Sequence, residues 1–72
     1  MIRDVIYEII KKDFGQDVND NTLFSSFTTS MGILEILLSI EEAGYDSKLI
    51  EATSLIKVGD MINEMEKMIR GY

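Results

Sequence analysis

The sequence lacks several residue types on which small proteins often depend. Its 72 residues include no cysteine, no histidine, no tryptophan and no proline. A chain this short is often held together by a disulfide or a zinc ion, and their usual ligands, cysteine and histidine, are missing. The same two residue types are the side chains most used as nucleophiles and general bases. We therefore expect a single domain over residues 1–72, stabilised by packing, with no metal site and no enzymatic activity.

Positive charge and long apolar runs are also scarce. The formal net charge is −6, which argues against binding to nucleic acid and favours partners that present basic patches. No apolar run is long enough to span a bilayer, and residues 1–5 are too charged for a signal peptide. We expect a cytoplasmic protein that does not span a membrane.

Three segments of the chain show the apolar spacing of amphipathic helices. The first helix is expected to end near Asp13, with Gly15 as its stop, the central helix to cover residues 31–43, and the last to begin between residues 54 and 58. The apolar positions are Ile2, Val5, Ile6, Ile9 and Ile10 in the first helix, Met31, Ile33, Leu34, Ile36, Leu37, Leu38 and Ile40 in the central one, and Val58, Met61, Ile62, Met65, Met68 and Ile69 in the last. We expect the methionines of the last helix to belong to the core.

The connections between these helices differ in length. Residues 16–29 are rich in Asp, Asn, Thr and Ser, which favour loops, but the apolar Val18, Leu23, Phe24 and Phe27 predict that this loop packs on the helices. Gly44 suits a helix end, and Asp46 or Ser47 is a candidate cap for a short helix through Glu51. No convincing strand pattern is present. The sequence thus predicts an all-α, irregular four-helix bundle with three longer helices, one short helix and a long first loop.

Ser30 lies where the long loop meets the central helix. A hydroxyl among residues 28–30 can accept hydrogen bonds from the free amides of the first turn, and the helix dipole would favour a phosphodiester on the Ser30 oxygen. The position alone favours an ordinary helix cap over a modified serine.

The residues around Ser30 favour a specific family. The run Thr29-Ser30-Met31-Gly32-Ile33-Leu34-Glu35-Ile36-Leu37-Leu38-Ser39-Ile40-Glu41-Glu42 resembles the signature and following helix of acyl carrier proteins. Asn21-Thr22-Leu23-Phe24 and Lys57-Val58-Gly59-Asp60-Met61-Ile62 are similar to the family's sequence before and after it, so the resemblance covers nearly the whole chain. Ser30-Met31-Gly32 is most similar to stand-alone amino-acid carriers such as the D-alanyl carrier proteins, although Gly32 could equally mark close approach of a partner.

This resemblance implies a function. Ser30 would carry a 4'-phosphopantetheine arm, added from coenzyme A by a phosphopantetheinyl transferase, and the arm's thiol would hold acyl or aminoacyl thioesters. Partners would be a loading ligase and downstream enzymes of fatty acid, polyketide or nonribosomal peptide biosynthesis, with basic patches. Met31, Glu35, Glu41 and Glu42 would take part in partner recognition by a monomeric carrier, whose cargo the sequence does not identify.

Thr29 departs from the family pattern, in which Asp usually precedes the serine. The loop before it also lacks the family's usual glycine, with Ser25-Ser26-Phe27-Thr28 in that place. Either a specialised transferase modifies the chain, or it is a degenerate, unmodified carrier-fold module that binds a partner enzyme. An unrelated helical adaptor is the third interpretation.

Overall fold

The computed structural model describes residues 1–70, which form three α-helices and two 3₁₀ turns. The helices, of 13 residues each, are α1 (Ile2–Phe14), α2 (Ser30–Glu42) and α3 (Val58–Arg70), and the turns are Phe24–Ser26 and Ala52–Ser54. Within these residues the only strand-like pairing is an isolated antiparallel bridge between Leu23 and Lys57. The all-α class is confirmed, and the three long helices lie where the apolar spacing predicts them.

Helix α1 ends at a glycine, as expected. Gly15 adopts a left-handed conformation with φ of 67°, and its amide donates to the carbonyl of Lys11 at 2.9 Å. This conformation suits glycine, which has no β-carbon to clash. Asp4 in the first turn and Lys11 and Lys12 in the last place charges where they complement the helix dipole.

The core is formed by one apolar face from each helix. The methionines of α3 behave as core residues, since Met61 and Met65 are fully buried and Met68 is half-buried. Burying an Ile or Met side chain stabilises a fold by about 1.5–3 kcal/mol, which is how a chain without cross-links is held together. The buried helical side chains are Ile2, Ile6 and Ile10 of α1, Ile33, Ile36, Leu37 and Ile40 of α2, and Val58, Met61, Ile62 and Met65 of α3.

The predicted fourth helix through Glu51 is not confirmed. The Ser47 hydroxyl donates to the carbonyl of Leu37 at 2.9 Å in a buried position, so it ties the segment to α2 instead of capping a helix. The Asp46 carboxylate accepts from the Lys48 amide at 3.1 Å within a tight turn. The only helical element between α2 and α3 is the turn Ala52–Ser54, so the described residues form a three-helix arrangement with two 3₁₀ turns.

The long loop packs on the helices through three of its four predicted apolar residues, whereas Leu23 is 43% exposed. Phe24 is buried, Val18 and Phe27 are half-buried, and the Phe27 ring meets Phe14 edge-on with centroids 5.6 Å apart. The Phe24 amide donates to the carbonyl of Ile56 at 3.0 Å. These contacts fix the path of the chain into α2.

Asp20 ties the loop to two helices, a link that the sequence did not reveal. Its carboxylate accepts hydrogen bonds from Arg3 Nη2 at 2.9 Å, Arg3 Nε at 3.2 Å and the Tyr7 hydroxyl. Its backbone carbonyl accepts the Gly59 amide at 2.8 Å, and a β-carbon on residue 59 would lie 2.8 Å from that same oxygen. The hydrogen bonds from Arg3 and then Tyr7 lower the pKa of Asp20, and the bond to Asp20 raises the pKa of Tyr7.

Candidate functional site: the start and outer face of helix α2

Ser30 is the first residue of α2 and is exposed to solvent. Within residues 1–70 its hydroxyl has no hydrogen-bond partner. The preceding Thr29 is extended, with φ of −115° and ψ of −177°, and its side chain makes no capping hydrogen bond. The expected hydroxyl cap is therefore not formed at Thr29, and the Ser30 oxygen is free to carry a substituent.

No side-chain charge in the first turn of α2 offsets the positive end of the helix dipole. This turn contains no acidic side chain, so the positive end of the helix dipole and its free amides are not neutralised from within the helix. An anion attached to the Ser30 oxygen would lie close to these amides. The local charge at Ser30 is thus favourable for a phosphodiester.

The structure gives a reason why residue 32 is a glycine, which the sequence alone did not show. Gly32 is buried, and a β-carbon there would overlap the Thr28 hydroxyl and lie 2.9 Å from Thr28 Cβ and 3.1 Å from Phe14 Cε2. The close approach is made by the end of the chain's own loop, which crosses the first turn of α2. Because residue 32 has no side chain, the loop can pack against the first turn of α2, and Ser30 lies exposed where the loop ends.

A small pocket lies beside Ser30. Its volume is about 190 Å³, and Phe24, Ile33 and Leu55 form buried walls while Ile56 is 64% exposed. An engineered apolar cavity of about 150 Å³ holds benzene, so this pocket has room for a group of that size. A larger groove of about 700 Å³ lies between α1 and the C-terminal half of α2, away from Ser30.

The outer face of α2 is apolar over most of its length. Met31, Leu34 and Leu38 are 71%, 52% and 60% exposed, and their spacing of three and four residues places them in one strip, which we call the α2 apolar stripe. Met31 was expected at a partner surface from the resemblance. Leu34 and Leu38 were not expected at such a surface. The apolar residues of α2 nevertheless cover more than a single buried face, which indicates that some of them are exposed.

The three glutamates of α2 do not occupy equivalent places. Glu35 and Glu42 are exposed, as partner recognition would need. Glu41 is half-buried, and its Oε1 is buried with no hydrogen-bond partner among the described residues. A partner can therefore reach less of the Glu41 carboxylate than the sequence predicts.

The charges of α2 oppose its dipole. The helix contains three acidic residues and no Lys or Arg, and two of the three, Glu41 and Glu42, lie in its last turn. Negative charge at a helix C-terminus is unfavourable, because the carbonyl end already carries partial negative charge. Departures from local rules of this kind are expected where a surface serves function.

Comparison with known proteins returns no match to a protein-family model, to a curated protein or to a solved structure. Within residues 1–70, none of the helices combines the length and the apolar character needed to cross a membrane.

Proposed function

We propose that this chain is a stand-alone carrier protein whose Ser30 oxygen bears a 4'-phosphopantetheine arm. The observation that carries the proposal is the exposed, unpartnered hydroxyl of Ser30 at the start of α2. The resemblance of residues 29–42 to carrier proteins supports it. The arm would hold an acyl or aminoacyl group as a thioester and present it to biosynthetic enzymes.

The residues around Ser30 fit this group. The first turn of α2 has free amides and no acidic side chain, which favours a phosphodiester on the Ser30 oxygen. The bound arm supplies the reactive thiol, so a chain without cysteine can take part in thioester chemistry. The chain's own role is to hold the arm at an accessible point of a rigid helix start.

The proposed partners are a phosphopantetheinyl transferase, a loading ligase and downstream enzymes with basic patches. Glu35 and Glu42 are the exposed acids of α2 that would meet those patches. Each exposed ion pair contributes no more than about 1 kcal/mol, so the acids mainly steer the encounter. The proposal includes a cytoplasmic monomer, and the net charge of −6 disfavours self-association.

Mass spectrometry after incubation with coenzyme A and a broad-specificity transferase tests the proposal. We expect one added phosphopantetheine, absent in Ser30→Ala. Ser25→Ala is the matched control, because Ser25 is also exposed and lines the same small pocket. A wild-type chain left unmodified by several transferases would contradict the proposal.

The second candidate function is an unmodified carrier-fold module that binds a partner enzyme, and Thr29 favours it by supplying no carboxylate next to Ser30. Thr29→Asp separates the two. If the missing carboxylate only slows a transferase, the variant is modified faster than wild type. If protein purified from its native source is unmodified and holds a partner enzyme tightly, the module is the correct function.

A further inference from the structure

The small pocket beside Ser30 differs in its chemistry from the larger groove between α1 and α2. Charged side chains from both helices line the groove. Among the described residues no charged side chain lines the pocket, whose walls are apolar and whose rim carries hydroxyl groups, those of Ser25, Thr28 and Thr29 among them. A pocket of this composition favours a neutral, largely apolar group.

Ile56 forms the exposed wall of the pocket on a fixed backbone. Its amide donates to Asp60 Oδ2 at 3.2 Å, and its carbonyl accepts from the Phe24 amide at 3.0 Å. The Ile56 side chain is nevertheless 64% exposed, so the fold holds a large apolar surface in water beside Ser30. An apolar group placed against it would remove this surface from water, and little backbone order would have to be gained.

We infer that this pocket holds the part of the phosphopantetheine arm nearest to Ser30, namely the carbon that bears two geminal methyl groups. In the arm this carbon follows the phosphate after a single methylene, so it is the first branched apolar group beyond the Ser30 oxygen. The pocket volume of about 190 Å³ suits a compact group of this kind. The inference rests on the proposed function for the presence of the arm.

Reach and size favour this part of the arm over the cargo as the occupant. Ser30 itself lines the pocket, so the occupant needs only a short connection, whereas the cargo is attached at the far end of the arm. A long acyl chain does not fit, because the walls Phe24 and Ile33 are core residues and the pocket cannot deepen without displacing them. The arm therefore leaves Ser30 toward the segment that contains Leu55 and Ile56.

The first test is NMR of the modified chain, prepared with coenzyme A whose geminal methyl groups carry an isotope label. We expect nuclear Overhauser effects from these methyl groups to Ile33, Leu55 and Ile56, and labelled signals shifted from those of free coenzyme A. In Ile56→Ala the effects to Ile33 and Leu55 should be lost, because the pocket has lost a wall.

Leu49→Ala is the matched control, because Leu49 is 74% exposed between α2 and α3 but does not line the pocket. It should leave the labelled signals as they are in the modified wild type. Labelled signals at the positions found in free coenzyme A would overturn the inference.

The second test needs no transferase, so it separates failure of the inference from failure of the proposed function. The chain has no cysteine, so Ser30→Cys provides a single thiol for disulfide coupling. Neohexyl methanethiosulfonate places a branched apolar carbon as many bonds from Cβ as the arm does, and trimethylammonioethyl methanethiosulfonate places a cation of the same shape there.

We expect the neohexyl conjugate to melt about 4 °C or more above the cationic one, because only the neutral group is buried in the pocket. The difference should disappear in an Ile56→Ala background. Equal melting temperatures for the two conjugates would refute the inference even where a transferase modifies the wild type. A higher melting temperature together with an unmodified wild type would confirm the pocket and contradict the proposed function, and with it the arm as the occupant.

Discussion

Asp20 is a carboxyl whose protonation affects the stability of the folded chain. The hydrogen bonds from Arg3 and Tyr7 lower its pKa below the ordinary value of 3.8. The folded state thus binds this proton less tightly than the unfolded chain. The stabilisation that ionised Asp20 contributes is therefore complete above pH 3.8 and is lost as pH falls through the lowered pKa. Tyr7 has the opposite sign, because its pKa is raised above 10.0 and its stabilisation is lost as pH rises.

We predict that Asp20→Asn flattens the acid limb of the stability curve. Urea unfolding at a series of pH values between about 2 and 6 should show a smaller loss of stability on acidification than wild type, because the variant lacks the titrating group. Asp17→Asn is the matched control, since Asp17 is an exposed loop residue paired only with Lys11. Parallel acid limbs for wild type and Asp20→Asn would contradict the prediction.

Gly32 gives a second prediction at this scale. Alanine normally favours a helix over glycine by up to about 1 kcal/mol. At position 32 its β-carbon would overlap Thr28 and press on Phe14, and overpacking of this kind costs about 1–3 kcal/mol. We therefore expect Gly32→Ala to lower the free energy of unfolding despite the better helix propensity.

Thr28→Gly supplies the control for Gly32→Ala, because it removes both Thr28 atoms that the new β-carbon would meet. In a double-mutant cycle measured by urea unfolding, Gly32→Ala should cost less in the Thr28→Gly background than in wild type. Equal costs in the two backgrounds would show that the contact with Thr28 does not explain the glycine.

The helices themselves were the most predictable part of the structure. The three long helices follow from apolar spacing, and Gly15 ends α1 as a residue suited to a positive φ. The short helix through Glu51 is not confirmed, since the side chain of Ser47 bonds to Leu37, ten residues away, instead of capping its own segment. Local pattern carries no information about that distant acceptor.

The candidate site could be predicted only in part for the same reason. Ser30 at a helix start follows from the loop composition and the apolar run after it. Which apolar residues of α2 face outward does not, because Ile33 and Leu37 are buried while Leu34 is exposed, and the choice depends on where α1 and the segment around Ala52 pack. The bonds from Arg3 to Asp20 join residues 17 positions apart and leave no periodic signal.

The C-terminal turn of α2 gives the prediction at this scale. Glu42 is exposed at the negative end of the helix dipole, so Glu42→Gln should raise the free energy of unfolding by about 0.3–1 kcal/mol. Glu35→Gln is the control, because Glu35 is also exposed but lies in the middle of the helix. Urea unfolding at low salt measures both, and a loss of stability in Glu42→Gln would refute the argument.

Across the whole molecule, negative charge is concentrated unevenly. Helix α1 contains three acidic and three basic residues, whereas α2 contains three acidic residues and no basic one. Of the three helices, α2 therefore has the largest net negative charge. Long-range charge of this kind acts on the rate of encounter, whereas close apolar contact acts on the lifetime of a complex.

The acidic residues and the apolar residues of the α2 surface should therefore affect different rate constants. For binding to a basic partner such as the transferase, Glu35→Gln/Glu42→Gln should slow association at low salt and leave dissociation nearly unchanged. Leu34→Ala/Leu38→Ala should speed dissociation and leave association nearly unchanged. Asp4→Asn/Glu51→Gln is the control, since it changes net charge by the same amount through two exposed acids that do not line the groove beside Glu42. If it slows association as much as the α2 pair does, the total charge steers the partner and the placement of acids on α2 does not matter.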